Sequence, residues 1–180
     1  MKKFILCLMM LCMLFSLAAC GTDTPDTTGP QGSSSTNSDG NNVQEHPNAP
    51  SLTVNGTKLQ LYAKAEPILK ALGTANSVNE LPTCAIGEMD RQYAYDSFYV
   101  QTYSLEGVEY IFSFWFADDL IKTDEGVKIG DTKETVEAAY GAAAFDGTNC
   151  YVITSDGGEL RLILKDGVVS SISYTVIVGA

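Results

Sequence analysis

Histidine is nearly missing from this 180-residue chain: the single one is His46. That excludes the Ser-His-Asp and Cys-His constellations unless His46 itself takes part. It also leaves no His/Cys cluster at metal-ligand spacing. Positive charge is scarce as well, with 11 Lys and Arg against 22 Asp and Glu, a net charge of −11. So acidic a chain disfavours nucleic acid and anionic membrane as partners; the same charge also keeps an exported protein soluble. No glycine-rich phosphate loop is present, because "GVKIGD" lacks both the glycine spacing and the Lys-Ser/Thr ending. The densest acidic group, Asp118-Asp119 with Asp124-Glu125, has no EF-hand spacing and reads as solvated turns rather than a calcium site. No catalytic residue, metal ligand or cofactor is therefore expected.

What the chain has is strongly segmented. "MKKFILCLMMLCMLFSLAAC" gives a positive n-region, an apolar h-region and small residues, the pattern of an export signal rather than a span. Leu17-Ala18-Ala19-Cys20 resembles the lipobox of bacterial lipoproteins. The resemblance implies cleavage after residue 19 and a diacylglyceryl group on the Cys20 thiol. Two acyl chains suffice for stable anchoring, which places the mature protein on the outer face of the cell membrane, or on an outer membrane if the cell has two. Loss of Lys2 and Lys3 with the signal takes the net charge from −11 to −13.

Residues 20–50 follow as the lipidated cysteine and a Ser/Thr/Asn/Gly/Asp/Pro-rich segment whose only large aliphatic residue is Val43. Such a composition cannot offset its ordering entropy. It reads as a tether with a reach of about 30 Å, and His46, lying in it, is expected to have no role as catalyst or ligand.

Residues 51–180 have the length of one domain. Leu52/Val54 and Leu59/Leu61 alternate around Asn55-Gly56, a hairpin signal. A helix is expected over 65–72, stopped by Gly73. Strands are expected over 93–95, 98–103, 108–116 and 120–123. Asp131 and Glu134 have the spacing of a capping box, and Val136, Ala139 and Tyr140 share a helical face before Gly141. Strands return over 150–154, 160–164 and 168–176.

The two halves read as a tandem repeat, about 52–125 and about 126–180. Leu72-Gly73 matches Tyr140-Gly141. "YVQTYS" at Tyr99 matches "YVITSD" at Tyr151, and "FADDLIKT" at Phe116 matches "LKDGVVSS" at Leu164. The expected fold is α+β: two helix-plus-antiparallel-meander units with the helices packed on one face of the sheet. The arrangement resembles the beta-lactamase-inhibitor-protein-like fold and is similar to small outer-membrane assembly lipoproteins that carry one such unit. It is also similar to lipoproteins of anaerobic Gram-positive bacteria that pair a "CA…Y-Y" segment (Cys84-Ala85, Tyr93, Tyr95) with the segment Thr123–Asp131. The resemblance implies protein binding through the sheet face away from the helices, and no enzyme.

Alternation in 108–116 puts Tyr110, Phe112, Phe114 and Phe116 on one face, expected to be core with Leu160, Leu162 and Leu164. The other face then carries Glu109, Ile111, Ser113 and Trp115 in the first unit and Glu159, Arg161 and Ile163 in the second, and is expected to be open to water. The repeat alignment adds Tyr99, Tyr103, Tyr151 and Ile153, if Phe98, Val100 and Val152 point inward. Trp115, Ile163 and these four form either a recognition patch or aromatics that merely cover one another. Cys84 and Cys150, at similar places in the two units, can pair as one disulfide or remain buried thiols. The functional expectation is a membrane-anchored, non-catalytic module that binds or inhibits another envelope or secreted protein. A structural, envelope-assembly role and a small-ligand or glycan binder are the alternatives.

Overall fold

The computed structural model describes residues 46–82 and 89–179. In chain order the elements are β1 (Ser51–Val54), β2 (Thr57–Gln60), α1 (Ala65–Leu72), β3 (Ser77–Leu81), β4 (Asp90–Ala94), β5 (Phe98–Leu105) and β6 (Val108–Phe116). They continue with α2 (Lys133–Tyr140), a 3-10 turn (Ala142–Ala144), β7 (Cys150–Ser155), β8 (Gly158–Lys165) and β9 (Val168–Val176). The described residues are α+β, with two α-helices and mostly antiparallel sheet. One small sheet is the β1–β2 hairpin; the other has seven strands in the order β3-β4-β5-β6-β9-β8-β7.

Four hairpins use one turn device. Asn55-Gly56, Glu106-Gly107, Asp156-Gly157 and Asp166-Gly167 all have positive φ at both positions, between 45° and 82°. That is the type I′ geometry, whose twist matches the twist of paired strands and which glycine adopts without strain at its second position.

Strand β6 has two partners along one edge. Ser113–Trp115 pair with Ser173–Thr175 of β9. Nearer its start, the amide of Tyr62 donates to the Ile111 carbonyl and the Ile111 amide donates to Ala63, both at 2.9 Å, and Lys64 bridges Tyr110. Between these stretches lies a bulge: Gln101 faces Ser113 and Thr102 faces Ile111, leaving Phe112 as the extra residue. Strand β9 is built the same way. Thr132 bridges Val168, Gly130 and Asp131 exchange bonds with Val169 at 2.8 Å, and Ser170 is the extra residue of a bulge between Ile163/Ser171 and Leu164/Val169.

One face of the large sheet supplies the core. Val100, Ile111, Phe114, Phe116, Leu160, Leu162, Ile172 and Tyr174 are buried there, joined by Leu52, Leu59 and Leu61 of the first hairpin, Ala65 of α1 and Val136 of α2. Tyr174 stacks on Phe114 with ring centroids 4.5 Å apart.

Several expectations need correction. No strand forms over 120–123; Leu120 is 77% exposed, and Thr123 instead closes a turn, its hydroxyl accepting the Val127 amide. Strand β3 was not expected, because its sequence SVNEL is almost wholly exposed and offers no apolar alternation. Helix α2 starts two residues after Asp131, with Thr132 at the N-cap and no side-chain cap bond; Asp131 accepts the Lys128 amide instead.

Residues 46–50, expected to belong to the tether, are docked on the domain. His46 stacks on Tyr62 at 3.9 Å and pairs with Asp156 at 3.1 Å. The Asn48 amide donates to Asp156, Ser155 donates to the Asn48 carbonyl, and Ala49 is buried. Tyr62 itself sits at φ 65°, a strained conformation for a bulky residue. Its hydroxyl bond to the Gly157 carbonyl at 2.7 Å and the His46 stack hold it there.

Gly158 lies under this docked segment. A Cβ there would meet Leu61 Cδ1 at 2.7 Å and Pro50 Cδ at 2.8 Å. Gly158→Ala is therefore expected to destabilise the domain by about 1–3 kcal/mol through overpacking, read as a lower urea midpoint. An unchanged midpoint would mean that Pro50 does not pack on the β7–β8 hairpin.

Candidate functional site

The sheet face opposite the core is defined by register. Tyr99 lies directly across from Trp115 on the neighbouring strand, and their rings stack at 5.2 Å with planes 15° apart. Both are half-buried. On its other side Trp115 faces Ser173 of β9, and Ser171 and Thr175 share that face. The indole thus stands beside a row of short hydroxyl side chains. Arg161, exposed and paired with Glu159 at 3.0 Å, lies across from Ser173 on β8.

A second aromatic group lies toward the β5–β6 hairpin. Tyr103 stacks on Tyr110 at 5.5 Å and meets Phe112 edge-on at 6.3 Å. Tyr103 and Tyr110 are nearly inaccessible, and burial, then the neighbouring Tyr62 and Tyr110 hydroxyls, push the Tyr103 phenol up to about 12. Between the two groups runs a polar bridge across three strands. Gln101 donates to Asp90 at 3.1 Å, and Ser113 donates to Gln101 at 3.5 Å.

Of the six residues expected to form the patch on this face, Tyr99, Tyr103, Trp115 and Ile163 are on it, with Tyr103 buried. Tyr151 and Ile153 are not. Tyr151 pairs with Leu162 and Ile153 with Leu160, and these point to the core. Tyr151 is fully buried and donates to Glu137 of α2 at 2.8 Å. The error came from matching β7 with β5. No strand forms over 117–123, so the three-strand series on which that match rested is not present. Val152, expected inward, takes the other face for the same reason.

The bulge at Phe112 moves two more residues. Ile111, expected open, is in the core, and Tyr110, expected in the core, turns to the open face. Nothing in the regular alternation of "YIFSFWF" marks that position.

The four carboxylates of the 118–125 cluster each have a partner. Asp118 accepts the Leu120 amide, Asp119 meets Lys128 at 3.5 Å, Asp124 accepts the Thr53 amide and Glu125 accepts the Tyr140 hydroxyl at 2.5 Å. Among the described residues no group of His, Cys, Asp and Glu is placed to hold a metal ion.

Cys150 carries a free, buried thiol, so the expected disulfide is not formed through it. Cys84 lies outside the described residues. Burial raises the Cys150 pKa.

No protein-family model, curated protein or solved structure matches this chain.

Iodoacetamide is expected to leave Cys150 unmodified in the native protein and to alkylate it in denaturant without any reductant. Peptide mapping reads this directly. A requirement for prior reduction would restore the disulfide.

Proposed function

We propose that the protein is a non-catalytic binding module, held on the outer face of a membrane through a lipidated Cys20, that engages another envelope or secreted protein with its open sheet face. The observation that carries this reading is the Tyr99–Trp115 stack, opposite the face that buries the core. Trp and Tyr at the centre of a face with a polar surround have the composition of a binding hot spot. Among the described residues no helix is long and apolar enough to cross a membrane; residues 1–20, with the signal and Cys20, lie outside them.

The reading includes a duplicated architecture. The unit is a bridge residue, an eight-residue helix and three antiparallel strands, the last carrying a bulge. Lys64 and Thr132 each directly precede a helix and bridge Tyr110 and Val168. In each case the extra residue of the bulge, Phe112 or Ser170, comes two positions after the bridge partner. This correspondence equates β4-β5-β6 with β7-β8-β9, makes Tyr93 rather than Tyr99 the counterpart of Tyr151, and leaves β3 as an addition to the first unit. It also makes Trp115 the counterpart of Ser173, the residue it faces across the seam. Trp115 then stands near the centre of the joined sheet, where hot spots concentrate.

Two experiments test the reading. A photo-crosslinker at position 99 is expected to trap one partner protein on intact cells, and the same group at core-facing position 153 none. The double variant Tyr99→Ala, Trp115→Ala is expected to weaken that partner's binding about 30-fold or more while the domain stays folded by circular dichroism; undiminished binding would remove the face from consideration. Separately, Cys20→Ala is expected to move the protein from the detergent phase to the aqueous phase on Triton X-114 partition.

A further inference from the structure

A cleft of about 400 Å³ lies where the C-terminal end of α1, the β1–β2 turn, the β4–β5 turn and the loop after β6 converge. That volume is in the range of small-molecule sites, about 300–1,000 Å³. Tyr95 lines it and faces Phe98 across the β4–β5 turn, its amide donating to the Phe98 carbonyl at 2.9 Å. Phe98 belongs to the core, so the cleft stands on the core side of the sheet, away from Trp115. Its walls are pinned by backbone bonds. The Asn76 amide donates to Ala94 and the Ala117 amide to Ser97, both at 2.8 Å. The Leu120 amide closes its own turn on Asp118, and the Tyr95 and Phe98 rings stack at 4.8 Å.

The polar lining is neutral and has no internal work. The side chains of Asn55, Thr57, Thr74, Tyr95 and Ser97 line the cleft and make no hydrogen bond to a described residue. Ser97 decides the matter, because it is only 9% exposed. Sealed, unpaired side-chain atoms among the described residues are confined to Asp90 and Tyr174, so the Ser97 hydroxyl keeps access to the cleft. A hydroxyl so enclosed is satisfied only by what occupies that space.

The lining also restricts the occupant. No Lys, Arg or His is in it, and its one carboxylate, Asp96, already accepts the Asn76 side-chain amide at 2.8 Å. An anion finds no counter-charge. An apolar molecule would desolvate the hydroxyls and the amide without replacing their bonds with water. Those groups donate and accept alike, and so must their ligand. Beside them Val54, Leu72 and Leu120 offer apolar surface.

We propose that this cleft is a binding site for a neutral pyranose sugar. The sugar hydroxyls meet Asn55, Thr74 and Ser97, and its C–H faces meet Tyr95 and Leu120. The volume holds roughly thirteen waters at about 30 Å³ each, room for one sugar ring with its hydroxyls but not for a folded partner. The site is independent of the open sheet face and of the protein engaged there.

The probes are the methyl glycosides of glucose, galactose, mannose and N-acetylglucosamine, with cyclohexanol as the apolar counterpart and glucuronate as the anionic one. Binding is followed by amide shifts of the isotope-labelled chain from residue 20 onward, carrying Cys20→Ser. At least one glycoside is expected to bind with a dissociation constant on the order of 1–10 mM, with shifts centred on Asn55, Tyr95 and Ser97. Ser97→Ala and Asn55→Gly are each expected to weaken that binding several-fold. Glycine keeps the positive φ of position 55, and Ser97→Ala removes a group without an internal partner, so the thermal midpoint of neither variant is expected to fall appreciably. A merely structural role would move the midpoint and leave the binding alone. No saturable shift with any of these glycosides at about 50 mM, cyclohexanol or glucuronate binding as tightly as the best of them, shifts centred on Trp115 instead, or either variant binding like wild type would each overturn the proposal.

Discussion

The fold depends on one strand satisfying two partners along a single edge. Strand β6 gives Ser113–Trp115 to β9 and Tyr110–Ile111 to the segment that leads into α1. An unbroken strand would hold one course along its whole length. The bulge at Phe112 bends β6 and increases its local twist, so the edge can turn from one neighbour to the other. Everything that closes the core follows. The α1 segment is pinned where Ala65 can be buried, the first hairpin is brought over the sheet, and β9 is admitted for three residue pairs only. The same device at Ser170 serves α2 through Gly130–Thr132.

The bulge also decides what the second face presents. Beyond Phe112 the alternation is inverted relative to the start of the strand. Ile111 and Phe114 both reach the core although they are three residues apart, and Tyr110 joins Tyr103 on the far side. The far face thereby acquires a closed aromatic group at one end and the Tyr99–Trp115 pair near the seam. The polar bridge Asp90–Gln101–Ser113 ties the strands between them. On the β9 side Ser171, Ser173 and Thr175 keep the surface low. The contrast between a standing indole and short neighbours makes a shape that a partner can fill, which a uniformly aromatic face would not.

Local chemistry was legible in the sequence where it acts within a few residues. The helix at 65–72, the strand limits 108–116 and 168–176 and the Asn55-Gly56 turn all follow from periodicity and turn preference. What was not legible depended on tertiary partners. Strand β3 exists because β4 offers it an edge, not because SVNEL favours a strand. His46 is ordered by Tyr62 and Asp156, the latter 110 residues away, and composition alone cannot register a single stacked ring and one hydrogen bond. The misplacement of Tyr151 and Ile153 came from matching β7 with β5, and a period of two gives no penalty for such a match when both strands carry apolar residues on one face.

The two ends of the large sheet bear on how a partner could meet it. An unpaired edge strand is a template for strand addition. At β7 that route is obstructed: Phe145 bridges Tyr151, the Asp146 amide donates to the Cys150 carbonyl at 2.8 Å, and the Asp146 carboxylate accepts the Cys150 amide at 3.1 Å. At β3 the chain places exposed Asn79 and Glu80, the latter tied to Arg91 at 3.4 Å, so an incoming strand would meet a charged, fully solvated border with little apolar surface to bury. Strand addition draws its specificity from side-chain pockets beside the edge, and neither edge supplies them. The face around Trp115 offers a half-buried ring. Burying apolar area there is worth about 25 cal/mol per Å², so on the proposed reading the free energy for recognition comes from across the sheet rather than along its borders.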